Sequence, residues 1–296
     1  MSGVDGRVPV SGPRVVAVGG GHGLAATLRA VRLYTERVTA IVSVADDGGS
    51  SGRLRNLLHI IPPGDLRNCL VALAAPGSPL AVAFGYRFDQ EELSGHSLGN
   101  LVLAGLLEAC GNPVDALDEA CRLLGVRGRV LPASIEPVTL KAQADVGSVD
   151  GQVAVMGTDR IHRVSLVPAD AAAPDAALEA LAVADQVLLG PGSLFTSVLA
   201  AALVPGVRDG INASPGQRIY LCNLRAHEPE TSGLNVGDHL AALATHGIKV
   251  DQVICDTTAL SLGNPSVPVV DLPLARPNGL AHDPSRLASA LTDLLG

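Results

Sequence analysis

The stretch that decides the fold is RVVAVGGGHGLAATLRAVRL, residues 14–33. It opens with a short β-branched run, continues through the glycine-rich turn Gly19–Gly23, and then carries apolar residues at helical spacing over 24–33. A second apolar run, Val38–Val44, follows directly. This succession predicts a strand, a helix and a second strand, the βαβ unit from which parallel sheets are built.

The same rhythm organises most of the remaining chain. Helical patterns fill 64–124, and alternating strands and helices return after Pro174, with strands at 186–189, 218–222 and 253–255. We therefore predict an α/β fold: a Rossmann-like, doubly wound, mostly parallel sheet with helices on both faces. Alternating residues between 129 and 168 predict a small antiparallel, β-rich insertion. The predicted organisation is a flexible N-terminal tail at 1–13 and a single domain over 14–296.

Composition limits the function classes. The chain of 296 residues is 47% hydrophobic and has no Trp, three Phe and three Tyr, so its core must be aliphatic. A net charge of -8 argues against nucleic acid as a partner. The five cysteines include no CxxC pair, which favours reduced thiols. Neither a signal peptide nor about 18 consecutive apolar residues are found, so we expect a cytoplasmic protein without membrane insertion.

The first glycine turn is a candidate phosphate site. Backbone N–H groups and the positive end of the helix dipole would face an anion there. The turn is neither GxGxxG, because Leu24 takes the last glycine's place, nor a Walker A loop, since no Gly-Lys-Ser/Thr follows. A tight turn that serves packing alone is the alternative. The candidate residues are Gly19, Gly20, Gly21 and Gly23.

The string DDGGSSGR at 46–53 follows the second strand and has turn chemistry. In a doubly wound sheet it lies beside the glycine turn, where Asp46 and Asp47 can bind ribose hydroxyls, a substrate hydroxyl or a divalent cation. A solvated turn is the alternative. The further candidate residues of this string are Ser50, Ser51 and Arg53, as donors to a ligand phosphate.

A cluster at Pro62–Asn68 places Asp65 as the cap of a helix, with Arg67 and Asn68 in its first turn. These side chains can bind an anion, and simple capping is the equal alternative. We find no spacing typical of structural zinc, so any metal would be Mg²⁺ held by Asp46, Asp47 or Asp65. No cofactor is firmly indicated.

The segment Gly95–Asn100 matches GxSxG, which is typical of serine hydrolases. A nucleophile at Ser97 would need a buried strand before it, but residues 88–94 are polar and acidic. We therefore interpret Ser97 as a helix cap near a ligand, with Asn100 one turn further along.

Two further segments follow later strands. The turn Gly190–Ser193 repeats the strand-to-helix logic of the first, so Gly192 and Ser193 could hold the second end of a diphosphate. Asn223 opens a polar loop after the next strand and is a candidate ligand residue. We expect His227 and His239 in this region to be surface residues.

In order, the segments at 19–24, 42–55, 63–68, 95–100 and 190–193 resemble the signature of the YvcK/CofD-like family. The resemblance extends from about residue 14 to beyond residue 239. It implies a Rossmann-like fold and one of two activities. One branch contains phospholactate transferases that act on a deazaflavin; the other contains bacterial factors that bind UDP-sugars and support cell shape during gluconeogenic growth.

The Ser-Ser-Gly-Arg continuation at 50–53 is similar to the second branch. The resemblance therefore implies a cytoplasmic gluconeogenesis and morphogenesis factor that binds UDP-N-acetylglucosamine or UDP-glucose and supports envelope metabolism. The alternative is a Mg²⁺-dependent phospholactate-type transferase, with Asp46, Asp47 and Asp65 as candidate catalytic residues. An NAD-dependent oxidoreductase is a third interpretation, weakened by the missing glycine. A homo-oligomer is left open. Residues 224–231 differ from the family's usual loop, which leaves its contacts open.

Overall fold

The computed structural model describes residues 12–279 and 281–295. Its strands are β1 (Val15–Gly19), β2 (Val38–Val42), β3 (Arg129–Pro132), β4 (Thr139–Ala144), β5 (Gly147–Asp150), β6 (Ile161–Val167), β7 (Gln186–Leu189), β8 (Gln217–Leu221), β9 (Gln252–Cys255) and β10 (Val269–Asp271). Seven of them form a parallel sheet in the order β10-β9-β8-β7-β1-β2-β3, and β5-β4-β6 form a small antiparallel sheet. The predicted fold class is confirmed.

The helices are α1 (Gly21–Val31), α2 (Gly49–Leu58), α3 (Pro63–Leu73), α4 (Pro79–Gly85), α5 (Leu98–Cys110), α6 (Pro113–Leu124), α7 (Gln152–Met156), α8 (Asp175–Ala182), α9 (Ala200–Ala202), α10 (Pro205–Ala213), α11 (Val236–Thr245) and α12 (Pro284–Asp293). A 3₁₀ turn spans Glu91–Leu93, and a π-helical segment, Leu194–Leu199, runs into α9. No single helix among the described residues is long and apolar enough to span a membrane.

Strand β7 lies at the centre of the large sheet, and the direction of winding reverses between it and its neighbour β1. From β1 the chain moves through β2 to β3 on one side, whereas β7 pairs with β1 on the other side and leads outward to β10. All residues of β1 and β7 are buried, so both faces of the sheet are covered. The loops that follow β1 and β7 diverge, which leaves a crevice at the carboxyl edge of the sheet.

Two sequence-based boundaries need correction. Residues 129–132 pair in parallel with β2, so they belong to the large sheet, and the antiparallel insertion begins at Thr139 instead of 129. Residues 49–58 form helix α2, although we predicted turn chemistry through Gly52. Packing explains the glycine at position 52 of this helix, because a Cβ there would lie 2.0 Å from the Asp47 carbonyl oxygen.

The predicted N-terminal tail lies almost wholly outside the described residues. Pro13, at its end, is held by the Thr35 hydroxyl, which donates to the Pro13 carbonyl at 2.8 Å. All five cysteines are described and unpaired, and Cys110 is the exposed one among them.

Candidate functional site

A cavity of about 520 Å³ occupies the crevice between the loops that follow β1 and β7. Its walls come from the segments that follow β1, β2, β7 and β8, from helices α3 and α7, and from residues 281 and 282. The lining residues that carry the argument below are Gly20, Gly21, His22, Gly23, Asp46, Asp65, Val153, Met156, Gly192, Ser193, Asn223, Arg225 and His282.

The first glycine loop presents free donors to this cavity. Helix α1 begins at Gly21 without any side-chain cap. The N–H group of Gly21 is hydrogen-bonded to Asp65, whereas those of His22 and Gly23 have no acceptor within the described chain. The first N–H groups of a helix have no intrahelical partner and carry its positive dipole end. This loop therefore has the geometry of an anion site.

The two glycine loops are packed tightly against each other. A Cβ at Gly23 would lie 2.2 Å from the Pro191 carbonyl oxygen, so only glycine allows this approach. The Thr27 hydroxyl of α1 donates to the Gly190 carbonyl at 2.9 Å, which connects the helix after the first loop to the start of the second loop. Both loops therefore line the same cavity.

The second loop is fixed by side chains that follow β8. Asn223 Oδ1 accepts from the Gly192 N–H at 2.9 Å, and Asn223 Nδ2 donates to the Gly192 carbonyl at 2.8 Å. Glu230, only 2% exposed, accepts from the N–H groups of Phe195 and Thr196 at 2.7 and 3.1 Å. These donors at the start of the helical segment are thus already occupied by an internal carboxylate. Gly192 and Ser193 face the cavity, but the second helix start does not repeat the free donors of the first.

Asp46 and Asp65 both line the cavity. Asp46 Oδ1 accepts from the Gly48 N–H at 3.0 Å, which closes a turn after β2. Burial, reinforced by the negative charge of Asp46, raises the pKa of the Asp65 carboxyl to about 7. Hydrogen bonds from Gly21 and Asn68 and the charge of Arg67 oppose this increase. Near pH 7 the Asp65 carboxyl can therefore carry a proton or, when ionised, bind a cation.

The Asp47 side chain holds the start of helix α7. Its two carboxylate oxygens accept from the N–H groups of Gln152 and Val153 at 3.0 and 2.9 Å, at the start of α7. Helix α7 then places Val153 and Met156, 50% and 37% exposed, on the cavity wall. The antiparallel insertion thereby supplies an apolar surface opposite the polar loops.

The other predicted polar residues lie behind the cavity in one network. Ser50 Oγ lies 2.8 Å from His96 Nδ1 and accepts from Asn100 Nδ2 at 3.0 Å, and Arg67 Nε donates to Asn100 Oδ1 at 2.9 Å. The Arg67 Nη2 group also donates to Asn68. The network fixes α5 to α2 and α3, so its members position the wall and do not form it.

Three further predicted residues are also occupied elsewhere. The Ser97 hydroxyl accepts from the Asn100 N–H at 3.3 Å, which confirms Ser97 as a helix cap. Arg53 donates to the Ser94 carbonyl at 2.6 Å on the exposed outer side. Ser51 is buried against Gly64. The cavity lining does not include these residues, nor Gly19 at the end of β1.

Sequence reasoning missed several residues of the wall. Arg225 follows Asn223 in the same loop, so the rule that pointed to Asn223 could have found it. His227 is exposed, as expected, yet lines the cavity, whereas His239 is fully buried against Tyr220, contrary to the prediction of a surface residue. His282 comes from the segment between β10 and α12, and no sequence pattern indicated it.

The described residues contain no group of three or more His, Cys, Asp and Glu side chains that could hold a metal ion. Asp46 and Asp65 nevertheless supply two neighbouring carboxylates, the ligand type that Mg²⁺ prefers in combination with phosphate oxygens. The donor set thus fits Mg²⁺ only when a phosphate ligand completes it.

A parallel sheet with a glycine-loop cavity at its switch point defines a Rossmann-like α/β protein with a candidate anion site. The family model described as "2-phospho-L-lactate transferase CofD" matches residues 15–265. The chain therefore belongs to the CofD family.

Named relatives refine this placement. A curated Mycobacterium leprae protein of the gluconeogenesis-factor group is 45% identical over 313 residues, covering 96% of this chain and 86% of that protein. The gluconeogenesis factor of Halalkalibacterium halodurans is 45% identical over 235 residues, covering 78% of this chain and 73% of its own length. A crystal structure of a UPF0052-family protein from Bacillus halodurans superposes with a TM-score of 0.89 at 36% identity, covering 96% of this chain and all of that one.

Proposed function

We propose that this protein is a regulatory factor of the gluconeogenesis-factor type that binds a nucleotide sugar, with UDP-N-acetylglucosamine or UDP-glucose as the leading ligands. The observation that carries the proposal is the pair of N–H groups, of His22 and Gly23, that have no acceptor among the described residues and lie at the switch-point cavity. In open α/β sheets, ligands bind at such switch points, and phosphates bind at helix starts.

The remaining walls suit the rest of such a ligand. The cavity volume of about 520 Å³ lies in the range typical of small-molecule sites. Val153 and Met156 offer apolar contact to a base or sugar ring, and Arg225 is the one guanidinium among the described lining residues. We therefore assign the charge-assisted contact with the diphosphate to Arg225 instead of Arg53, which donates to Ser94.

The proposed role in cell shape and envelope metabolism rests on the resemblance to the gluconeogenesis-factor branch of the family. Nucleotide sugars are the activated precursors of envelope polysaccharides, so a protein that senses them can couple carbon supply to envelope synthesis. A cytoplasmic location fits this role, and the unpaired thiols agree with a reducing compartment.

The test is ligand-dependent thermal unfolding with UDP-N-acetylglucosamine, UDP-glucose, UDP, GDP and NAD, each with and without Mg²⁺. A ligand at about 100 times its dissociation constant adds roughly 2.7 kcal/mol of stability, a rise of several degrees in Tm. We expect this for a UDP-sugar, with Arg225→Gln reducing the shift and the matched control Arg53→Gln preserving it. Responses to GDP or NAD alone, or equal loss in both variants, would refute the proposal.

The second candidate is a Mg²⁺-dependent transferase, and the specific observation that favours it is the Asp46 and Asp65 pair. These carboxylates would hold Mg²⁺ together with ligand phosphate oxygens, and the metal would neutralise charge on the transferred group. Product formation that Asp46→Asn abolishes and Ser97→Ala retains would favour this candidate over a binding factor.

A further inference from the structure

We propose that His282 is a specificity residue of the cavity, whose Nε2 atom accepts a hydrogen bond from a hydroxyl or N–H group of the bound ligand. The inference rests on the proposed nucleotide-sugar function and deepens it. His282 lies beyond residues 15–265, the part of the chain that the family model matches.

The geometry that points to a ligand is an unsatisfied buried nitrogen. His282 lines the cavity and is only 6% exposed. Its Nε2 atom has no hydrogen-bond partner in the described chain. Buried polar atoms without partners are rare in folded proteins, because losing solvation without gaining a hydrogen bond is unfavourable. A bound ligand would supply the missing partner.

The tautomer of the ring decides what kind of partner fits. The hydrogen bond between the ring and the Cys222 backbone raises the pKa of His282, so the ring donates to the Cys222 carbonyl. Because Nε2 has no partner, we assign this donation to Nδ1. Burial lowers the pKa of His282 to about 4, although Cys222 and Asp256 oppose the shift, so the ring is neutral near pH 7. Its Nε2 therefore carries a lone pair and no proton.

This chemistry separates the phosphates from the rest of the ligand. An ionised diphosphate offers only acceptors, so it cannot pair with a nitrogen that is itself an acceptor. A ribose hydroxyl, a hexose hydroxyl, or the N–H of a base or acetamido group can donate to it. We therefore expect His282 to read the sugar or base, while the glycine loop binds the phosphates.

The backbone around His282 is fixed before any ligand arrives. Arg276 N–H donates to the Ala281 carbonyl at 2.9 Å, and Asp283 N–H donates to the Leu274 carbonyl at 2.7 Å. The Asp283 side chain then caps α12 by accepting from the Ser285 N–H at 2.9 Å. The backbone on both sides of His282 is thus held by hydrogen bonds, which suits a residue that selects among ligands.

The first measurement is the affinity of the wild-type protein, His282→Leu and His282→Gln for UDP-N-acetylglucosamine and UDP-glucose, by isothermal titration calorimetry. Leucine removes the acceptor, so we expect affinity to fall about tenfold or more. Glutamine can place its Oε1 near the position of Nε2, so it should restore much of the loss. His162→Leu is the matched control: this exposed histidine of β6 is not part of the cavity lining, so the affinity of that variant should stay unchanged.

The second measurement identifies the donor by coupling. The same proteins are titrated with ligands that each lack one donor: 2′-deoxy, 3′-deoxy and N3-methyl uridine analogues, and deoxy-hexose forms. One analogue should bind the wild-type protein more weakly, yet bind His282→Leu no more weakly than the parent ligand does. A loss of packing alone would weaken every ligand equally and would not be restored by glutamine.

The outcomes distinguish this inference from the proposed function. If the wild-type protein binds no nucleotide sugar, both are overturned. If it binds one and His282→Leu binds equally well, or if no analogue shows coupling, only the role of His282 is overturned. If His282→Leu fails to fold, His282→Gln still tests the role. It should keep the wild-type preference for the parent ligand over the analogue that lacks the donor, and loss of that preference would refute the role.

Discussion

Replacing Asp65 with Asn should stabilise the protein at high pH, although the residue lines the candidate site. A carboxyl group whose pKa is higher in the folded state than in the unfolded state binds more protons when folded. Stability contributed by that group is present below the unfolded pKa, near 3.8, and is lost as the pH rises towards the folded value of about 7. Asparagine is neutral throughout, so it removes this loss.

The magnitude follows from the difference between the two pKa values. The shift runs from 3.8 to about 7, and one pKa unit corresponds to about 1.36 kcal/mol. The upper limit is therefore on the order of 4 kcal/mol above pH 8. Because Asn can accept the Gly21 N–H but leaves the Arg67 charge less balanced, we expect a net gain of roughly 1 to 3 kcal/mol.

The assay is urea denaturation of the wild-type protein and Asp65→Asn at pH 5 and pH 8 without ligand. We expect the free energy of unfolding of the variant, relative to the wild-type protein, to increase between these two values. Asp65→Leu serves as a control for packing, because it removes the charge together with the hydrogen bond from Gly21. If the difference in unfolding free energy between Asp65→Asn and the wild-type protein is the same at pH 5 and pH 8, burial of the ionised carboxylate does not destabilise the folded protein.

Two further predictions concern carboxylates that hold the walls. Asp47→Ala removes the acceptor for the Gln152 and Val153 N–H groups, so unfolding free energy should fall by about 0.5 to 2 kcal/mol and α7 should lose hydrogen-exchange protection; unchanged protection would contradict the capping role. Glu230→Ala leaves buried donors at Phe195 and Thr196 unpaired and should cost about 3 kcal/mol in urea denaturation, whereas Glu230→Gln should cost less, and equal losses would refute this account.

The sequence predicted the core of the fold because the relevant signals are local. The apolar run before Gly19 and the helical spacing after Leu24 specify a strand and a helix without reference to distant contacts. Helix α2 was missed for the opposite reason. The glycines of α2 resemble a turn in the sequence. Position 52 requires glycine because a side chain there would clash with the Asp47 carbonyl oxygen, and that close approach exists only in the folded chain.

The site was predicted well where backbone groups form it and poorly where side chains do. The glycine loops must lie at the carboxyl edge of a doubly wound sheet, so their convergence follows from topology. Which arginine faces the cavity depends instead on competing acceptors: Arg53 is taken by Ser94 and Arg67 by Asn100, which leaves Arg225. His282 reaches the cavity through a C-terminal return of the chain that carries no motif of its own.

The charges around the cavity constrain how an anion can be bound there. Asp46 and Asp65 lie on the same wall as the glycine loop, and Arg225 is the one guanidinium among the described lining residues, so an incoming diphosphate adds charge to a wall that is already acidic. Repulsion is relieved if Asp65 takes up a proton, which its pKa near 7 permits, or if a divalent cation bridges carboxylate and phosphate oxygens. The paired titrations with and without Mg²⁺ separate these routes: proton uptake makes affinity fall as the pH rises above 7, whereas a bridging cation removes that fall.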